Sequence, residues 1–359
     1  MSKTVPSVLV TGGSGFLGSE VIKKLVETEQ YKVTSLDNLP PSLGSETFSN
    51  VRYIRANVLQ PSELEDAFEQ AKPVIVIHTA GVYDLGNKRY QNRSTGPVYE
   101  VNIQGTKNVL EAAKRNGAKG LVYTSSFSVL VDEIEADFHN ADETWPTGRA
   151  TLPYGRAKTA AENLVLASNT SSFRTCSLRP TLIFGPNDPT VIPRLHDCIA
   201  RGETSFVIGD GSNLNDFVYV SNVADAHVLA ASNLLESGTA AGQAFFITNG
   251  EPVSARDFCV AVWKEFGHVP SLNISVPPGL AWWLGWTAEW VSCISRQPST
   301  LSMGVVRDAA AVRYMSIEKA RRVLGYVPRV SLPEAVVVSC QDYKEKLQSQ
   351  RVKKNKSWD

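Results

Sequence analysis

The sequence predicts an α/β fold, a doubly wound parallel sheet with a smaller C-terminal lobe. Three observations carry this. Short apolar runs alternate with segments of helical length through the first half, the rhythm of strand and crossover helix. Val74 to His78 is a nearly unbroken β-branched run, as suits a strand covered on both faces. A glycine-patterned loop joins the first apolar run to the first helical segment.

The elements follow in order. Ser7 to Val10 reads as a strand and Gly18 to Glu29 as a helix, then Tyr31 to Leu36 and Val51 to Arg55 as strands. Ser62 to Gln70 reads as a helix, with Glu65 three residues after Ser62 in the pattern of a capping box. After the strand Val74 to His78 come the helix Tyr99 to Asn116, closed by Gly117, and the strand Gly120 to Ser125. Beyond Arg179-Pro180 proline and glycine punctuate the chain, before a strand Asp216 to Val220 and a helix Asn222 to Leu235. We therefore expect a nucleotide-binding unit over residues 1–185, with 216–248 returning to it. Residues 186–215 and 249–345 would form the second lobe, and 346–359 a basic tail.

Length and composition narrow the class. At 359 residues the chain exceeds what one core usually serves. Lys plus Arg equals Asp plus Glu at 36 each, so no field of one sign exists to attract nucleic acid. The five cysteines, Cys176, Cys198, Cys259, Cys293 and Cys340, are scattered and no His stands at metal-ligand spacing. We read reduced thiols, no disulfide framework and no metal site. The first residues run directly into a strand, without the apolar stretch of a signal peptide.

In Thr11-Gly12-Gly13-Ser14-Gly15-Phe16-Leu17-Gly18 the glycines at 12, 15 and 18 follow a strand and open a helix. A dinucleotide pyrophosphate needs that arrangement: bare backbone to approach, and the unpaired N–H groups of a helix N-terminus. The expected unit is thus of Rossmann type. Asp37 closes the second strand, where a carboxylate can accept from both ribose hydroxyls and repel a 2′-phosphate, favouring NAD over NADP.

Tyr154 and Lys158 stand at i and i+4, on one helical face. A tyrosine near its free pKa of ~10 is a poor base, and a lysine one turn away favours its phenolate. The pair can take a proton from an alcohol as hydride leaves. The strand Val122-Tyr123-Thr124-Ser125-Ser126 ends in hydroxyls, at the strand end where such sheets bind ligands. Ser126 is the choice to hold the reacting oxygen, with Ser125 and Thr124 as alternatives. Asn102 is read either as the holder of a relay water or as a structural cap.

Thr-Gly-x-x-Gly-Phe-Leu-Gly, Asp37-Asn38, His78-Thr79-Ala80, Val101-Asn102-x-x-Gly105-Thr106, Tyr154-x-x-x-Lys158 and Leu178-Arg179-Pro180 keep motif order along nearly the whole chain. In them the sequence resembles the extended short-chain dehydrogenases. Val122 to Ser126, Asp216 to His227, Phe246 to Pro252 and Ala320-x-x-x-Leu324-Gly325-Tyr326-x-Pro328 are most similar to the 3β-hydroxysteroid and sterol-4α-carboxylate 3-dehydrogenases. The resemblance implies NAD-dependent oxidation of a 3β-hydroxyl on a sterol or triterpenoid, with loss of a C4 carboxylate as carbon dioxide in the sterol-carboxylate branch. It implies cofactor contacts from Gly12, Gly15, Phe16, Leu17, Gly18, Asp37, Asn38, Asn57, Val58, Thr79, Ala80, Lys158 and Pro180. Ser126, Tyr154 and Phe184 would meet the substrate in a substrate-binding lobe. It also implies a homodimer and a place in the cytoplasm or on the cytosolic face of the endoplasmic reticulum.

Two positions depart from the pattern. Asn57 stands where such proteins carry an adenine-binding Asp, and Asn215 where sugar-nucleotide relatives carry a phosphate-binding Arg. The second weakens the reading as a nucleotide-sugar epimerase or dehydratase. Asp37 likewise weakens an NADPH-dependent reductase of smaller, dihydroflavonol-like ketones, and the intact Ser126, Tyr154 and Lys158 weaken a non-catalytic NAD-binding module. Finally, Trp282, Trp286 and Trp290 share one helical face within Val276 to Ile294. That face suits either peripheral membrane contact or a lid over an apolar pocket; the segment is too short and too polar at Glu289 to span a bilayer.

Overall fold

The computed structural model describes residues 5–42, 45–84, 86–90, 96–295 and 302–356. Its centre is a seven-stranded parallel sheet. The strands are β1 (Ser7–Thr11), β2 (Lys32–Asp37), β3 (Arg52–Arg55), β4 (Ile75–His78), β5 (Gly120–Thr124) and β6 (Arg174–Pro180). Two short strands outside this sheet follow, β7 (Leu182–Phe184) and β8 (Phe217–Tyr219), and then β9 (Ala244–Ile247) returns to it. The spatial order is β9-β6-β5-β4-β1-β2-β3. Strand order reverses at β1, which lies between β4 and β2. A crevice opens at that reversal, beyond the carboxyl ends of the strands.

The period-two pattern of the strands decides what covers each face. Val8, Val10, Ile75, Ile77 and Val122 point to one side, onto Val21, Ile22 and Leu25 of α1 (Phe16–Glu27). Leu9, Val76, Leu121 and Tyr123 point to the other side, onto Leu64 and Phe68 of α2 (Pro61–Ala71) and Val109 and Leu110 of α3 (Thr106–Arg115). Ala161 and Val165 of α4 (Pro153–Ala167) complete that side. Val223, Ala226 and Ala230 of α5 (Val220–Leu235) join α1 on the first.

Two local readings change. The second helix begins at Pro61, not Ser62, and has no side-chain cap; proline lacks the N–H that is an orphan at that position. Glu63 instead accepts from the Asn57 amide at 2.8 Å. The helix expected from Tyr99 starts at Gly96 and widens into a π turn over Glu100–Gly105 before α3.

A buried ion pair ties α4 to β6. Arg179 Nη2 lies 2.6 Å from Glu162 Oε1, with both side chains almost wholly buried, and the Ser177 hydroxyl donates to Glu162 Oε2 at 2.8 Å.

The second lobe is built on a four-stranded sheet ordered Val253–Ser254, Leu214–Asn215, Arg313–Met315, Phe138–Ala141. Its last strand comes from the first half of the chain. Helix α6 (Pro278–Ser295) packs on α7 (Met303–Ala310) through Gly285, where a Cβ would sit 2.9 Å from the Met303 nitrogen. Residues 346–356, read as tail, continue the helix Leu332–Lys356.

Removing one partner of a buried pair strands the other charge, so Arg179→Met should cost about 3–5 kcal/mol in urea unfolding. Glu162→Met with Arg179→Met should cost less than the sum of the single changes. Additive costs would show that the two side chains are independent.

Candidate active site

The crevice is a cavity of about 630 Å³. At its nucleotide end, the Gly12 N–H donates to Leu36 O at 2.8 Å and the Gly15 N–H to Gly12 O at 3.0 Å. Gly12 has φ +72°, and a Cβ there would lie 2.7 Å from the Ala80 nitrogen; a Cβ on Gly18 would strike the Gly12 carbonyl. Only glycine allows this turn and this approach of α1 to β1. Gly12, Gly15, Phe16, Leu17, Gly18, Asn38, Asn57, Val58, Thr79, Ala80 and Pro180 all line the cavity. Asp37 also lines it, its carboxylate fixed by the amides of Ser14 at 3.0 Å and Leu39 at 3.1 Å. Asn57 Oδ1 accepts from the Leu59 amide at 3.0 Å, closing an Asx turn. A glycine cradle at a helix N-terminus, with a carboxylate at the end of β2, fits a dinucleotide whose ribose hydroxyls are free.

Below the loop a buried chain of hydroxyls and one imidazole links β1, β4 and α3. Thr11 Oγ1 lies 2.6 Å from His78 Nδ1, and His78 Nε2 lies 3.0 Å from Thr106 Oγ1. Burial, helped by the Lys158 charge, pushes His78 down to about 3, so it stays a neutral structural link.

Farther along the cavity, α4 delivers Tyr154 and Lys158. Lys158 Nζ donates to Thr124 O at 2.9 Å and lies 5.9 Å from the Tyr154 ring centre. Burial lowers its pKa to about 8, opposed by Glu162. Of the three candidate hydroxyls, Ser126 is the one that acts on the Tyr154 pKa, lowering it, and its Oγ accepts from the Ser128 amide at 3.1 Å. Thr124 is committed to His227 at 2.7 Å, while the buried Ser125 hydroxyl has no hydrogen-bond partner among the described residues. Tyr154 itself is raised above its ordinary pKa, first by burial and then by Asp132; Arg89 and Ser126 pull it down. Two cations therefore stand near this phenol, Lys158 one turn behind it and Arg89 from outside any sequence motif.

The arrangement around Arg89 was not visible in any motif. Asp132, fully buried, accepts from the Gly155 amide in the first turn of α4 at 2.9 Å, and from Arg89 Nη2 at 2.7 Å. Gly155 has no room for a side chain against Asp132. Arg89 Nε stands 3.9 Å from Asp308, which receives the Tyr90 hydroxyl at 2.6 Å and pairs with Arg313. Arg89, Tyr90, Asp308 and Arg313 all line the cavity. They come from the segment 86–90, from α7 and from the lobe strand 313–315, segments that no local spacing connects. A glycine directly after the tyrosine was the one local sign of a close neighbour.

Two expected site residues lie elsewhere. Asn102 does not line the cavity among the described residues; its amide donates to Val82 O at 2.7 Å and Val98 O at 2.8 Å. It pins the loop after β4 to the π turn, and its Oδ1 keeps a place near Lys158, since a Cβ on Gly81 would meet Asn102 Oδ1 at 2.8 Å and Lys158 Nζ at 3.2 Å. Phe184 is fully buried, edge-on to Tyr219 and Phe258. Strand β7 pairs with β8 in the register Phe184 to Tyr219, turning Phe184 into the lobe's aromatic core; its neighbours Leu182 and Ile183 line the cavity instead.

Fold and site together define a dinucleotide-binding enzyme of dehydrogenase type. The model of the 3-beta hydroxysteroid dehydrogenase/isomerase family matches residues 9–277, and the chain belongs to that family. It is 37% identical over 349 residues to the decarboxylating sterol-4-alpha-carboxylate 3-dehydrogenase of Saccharomyces cerevisiae, covering 94% of this chain and 97% of the relative. To isoform 1 of the 3beta-hydroxysteroid-dehydrogenase/decarboxylase of Arabidopsis thaliana it is 34% identical, covering 91% and 77%. The fold is similar to that of a Thermus thermophilus UDP-glucose 4-epimerase solved with NAD, with TM-score 0.70, 24% identity and 94% and 99% of the two chains covered.

Because Asp132 raises Tyr154 while Arg89 lowers it, Asp132→Asn should bring the phenol's ionisation to lower pH. An ultraviolet difference titration of Asp132→Asn, with and without Tyr154→Phe, reads that shift. An unchanged or higher ionisation would refute the assignment.

Proposed function

We propose that this protein oxidises the 3β-hydroxyl of a 4-carboxysterol with NAD, and that the product loses its C4 carboxylate as carbon dioxide. The observation that carries the reading is that Tyr154 and Ser126 share the cavity with Lys158 one turn behind, beside a glycine cradle closed by Asp37. The choice of a carboxylated sterol is supported by the activities named for the yeast and plant relatives.

NAD, when bound, supplies the acceptor for the hydride of the C3–H bond. The Gly12–Gly18 loop would hold its phosphates and Asp37 the ribose hydroxyls, and a 2′-phosphate would meet the Asp37 charge. Ser126 holds the substrate's C3 oxygen, and the Tyr154 phenolate takes its proton as C3 becomes a ketone. Lys158, its charge retained below about pH 8, favours the phenolate in the assembled complex. The neighbouring carboxylate is then that of a β-keto acid. The bond from C4 to the carboxyl carbon breaks, carbon dioxide leaves, and the electron pair remains as a C3 enolate that takes a proton at C4.

The test is incubation with NAD and a panel of 3β-hydroxysterols with and without a 4-carboxylate, scoring NADH and carbon dioxide together. Both should form from the carboxylated members. Tyr154→Phe should lose about 10²–10⁴-fold in turnover while still binding NAD. Absence of NADH from every sterol would overturn the reading.

A second proposal concerns access. The Trp282–Trp290 side chains line no part of the cavity, which speaks against a lid. Trp283, Trp286 and Trp290 are 59%, 39% and 61% exposed, in a ladder of rings on α6, while Trp282 is half-buried. Among the described residues no helix is long and apolar enough to cross a membrane. We infer that this face rests on the surface of a bilayer, where amphipathic rings are stable, with the endoplasmic reticulum the expected site. Wild type should co-sediment with liposomes more than Trp286→Ala; equal partitioning would remove the idea.

A further inference from the structure

Tyr83 stands on the loop after β4 and lines the cavity. Its ring meets the Tyr154 ring edge-on, with centres 6.1 Å apart and planes at 62°. The backbone is fixed just before it. Val82 donates its amide to Asn102 Oδ1 at 3.4 Å, and its carbonyl accepts from Asn102 Nδ2 at 2.7 Å. Yet the Tyr83 side chain is 48% exposed, and Leu182, which lines the same cavity, is 40% exposed. Large apolar side chains left uncovered on a cavity wall mark a surface for an apolar ligand.

We propose that Tyr83 is a wall of the substrate site, its ring packing on the sterol skeleton beside the carbon that is oxidised, and that it sets the affinity for sterols. The inference rests on the sterol reading above. Proximity carries it. A substrate whose C3 oxygen is held at the Tyr154 hydroxyl brings its first ring against that phenol. Among the described residues, Tyr83 is the aromatic side chain in ring contact with Tyr154. A flat alicyclic skeleton matches an aromatic ring in shape, and contact takes both out of water. Leu182, Ile183, Pro189 and Val191 add further apolar lining for the rest of such a body. Burial raises the Tyr83 hydroxyl's pKa, Thr190 lowers it and Asp188 adds to the rise. The polar tip thus lies against protein groups, and the ring is left for the ligand.

The experiment compares wild type, Tyr83→Ala and Tyr83→Phe on a 4α-carboxy-3β-hydroxysterol with NAD, reading NADH. In Tyr83→Ala the KM should rise about 10- to 100-fold, the worth of one large apolar side chain covered by its ligand. Its kcat should stay within about threefold of wild type, the pattern of lost uniform binding. Tyr83→Phe keeps the ring and should stay within about twofold of wild type in both. Equilibrium dialysis of the same sterol, with NADH in place of NAD so that no hydride can be accepted, should show the same loss and the same rescue. Unchanged KM and binding in Tyr83→Ala would overturn the proposal. So would a fall in kcat alone, as a mere prop for the Tyr154 ring would give, or a loss in Tyr83→Phe as large as in Tyr83→Ala. If wild type binds the sterol but forms no NADH, the reading of the function fails instead, and dialysis still decides the role of Tyr83. A wild type that binds no sterol overturns both.

Discussion

Asp132 is a carboxylate with no access to water, a placement that costs several kcal/mol unless partners satisfy it. Here they come from both sides. The Gly155 amide supplies a donor from the first turn of α4, whose capping residue Leu152 has no side chain to offer, and Arg89 supplies the opposite charge. The Asp132 carbonyl oxygen is used as well, accepting from the Thr151 amide and hydroxyl just before the helix. Tyr154 thus has its place because a charge was buried next to it, and the glycine beside it follows from the lack of space. Through Arg89 the same charge reaches Asp308 and the second lobe, so nucleotide half and lobe meet beside Tyr154.

The two ends of the cavity are built differently. At the nucleotide end, contiguous residues suffice: a strand, a turn and a helix, held by backbone bonds such as Gly12 to Leu36. The Thr11–His78–Thr106 chain ties that end to α3 without any net charge. The far end is assembled from segments at 86–90, 132, 308 and 313, and its bonds are between charged side chains.

This difference explains what could be read from the chain before its structure. The glycine loop, Asp37, Tyr154, Lys158 and Ser126 are tied to strand ends and one helical turn, so spacing alone brings them together. The main-sheet strands were legible because their residues alternate between two apolar faces. Asp132, Asp308 and Arg313 meet only through tertiary folding, and nothing in their neighbourhoods marks them. Phe184 misled because its strand leaves the main sheet to pair with β8, and the two bonds of the Asn102 amide to backbone carbonyls were hidden because they depend on a π turn. In each case the deciding partner is remote, or the local geometry departs from the regular period.

The seventh strand, β9, pairs with β6 in parallel register across a long excursion of the chain. During synthesis, β6 therefore stands as an open edge while the intervening residues emerge. The edge of β6 turned away from β5 has no neighbour until Ala244–Ile247 arrives, and such edges invite pairing with other chains. Non-local parallel pairing is also slow to form. A chain interrupted between β6 and β9 would keep its dinucleotide loop and its tyrosine, yet present a sticky flank. Its solubility, more than its chemistry, would record the loss.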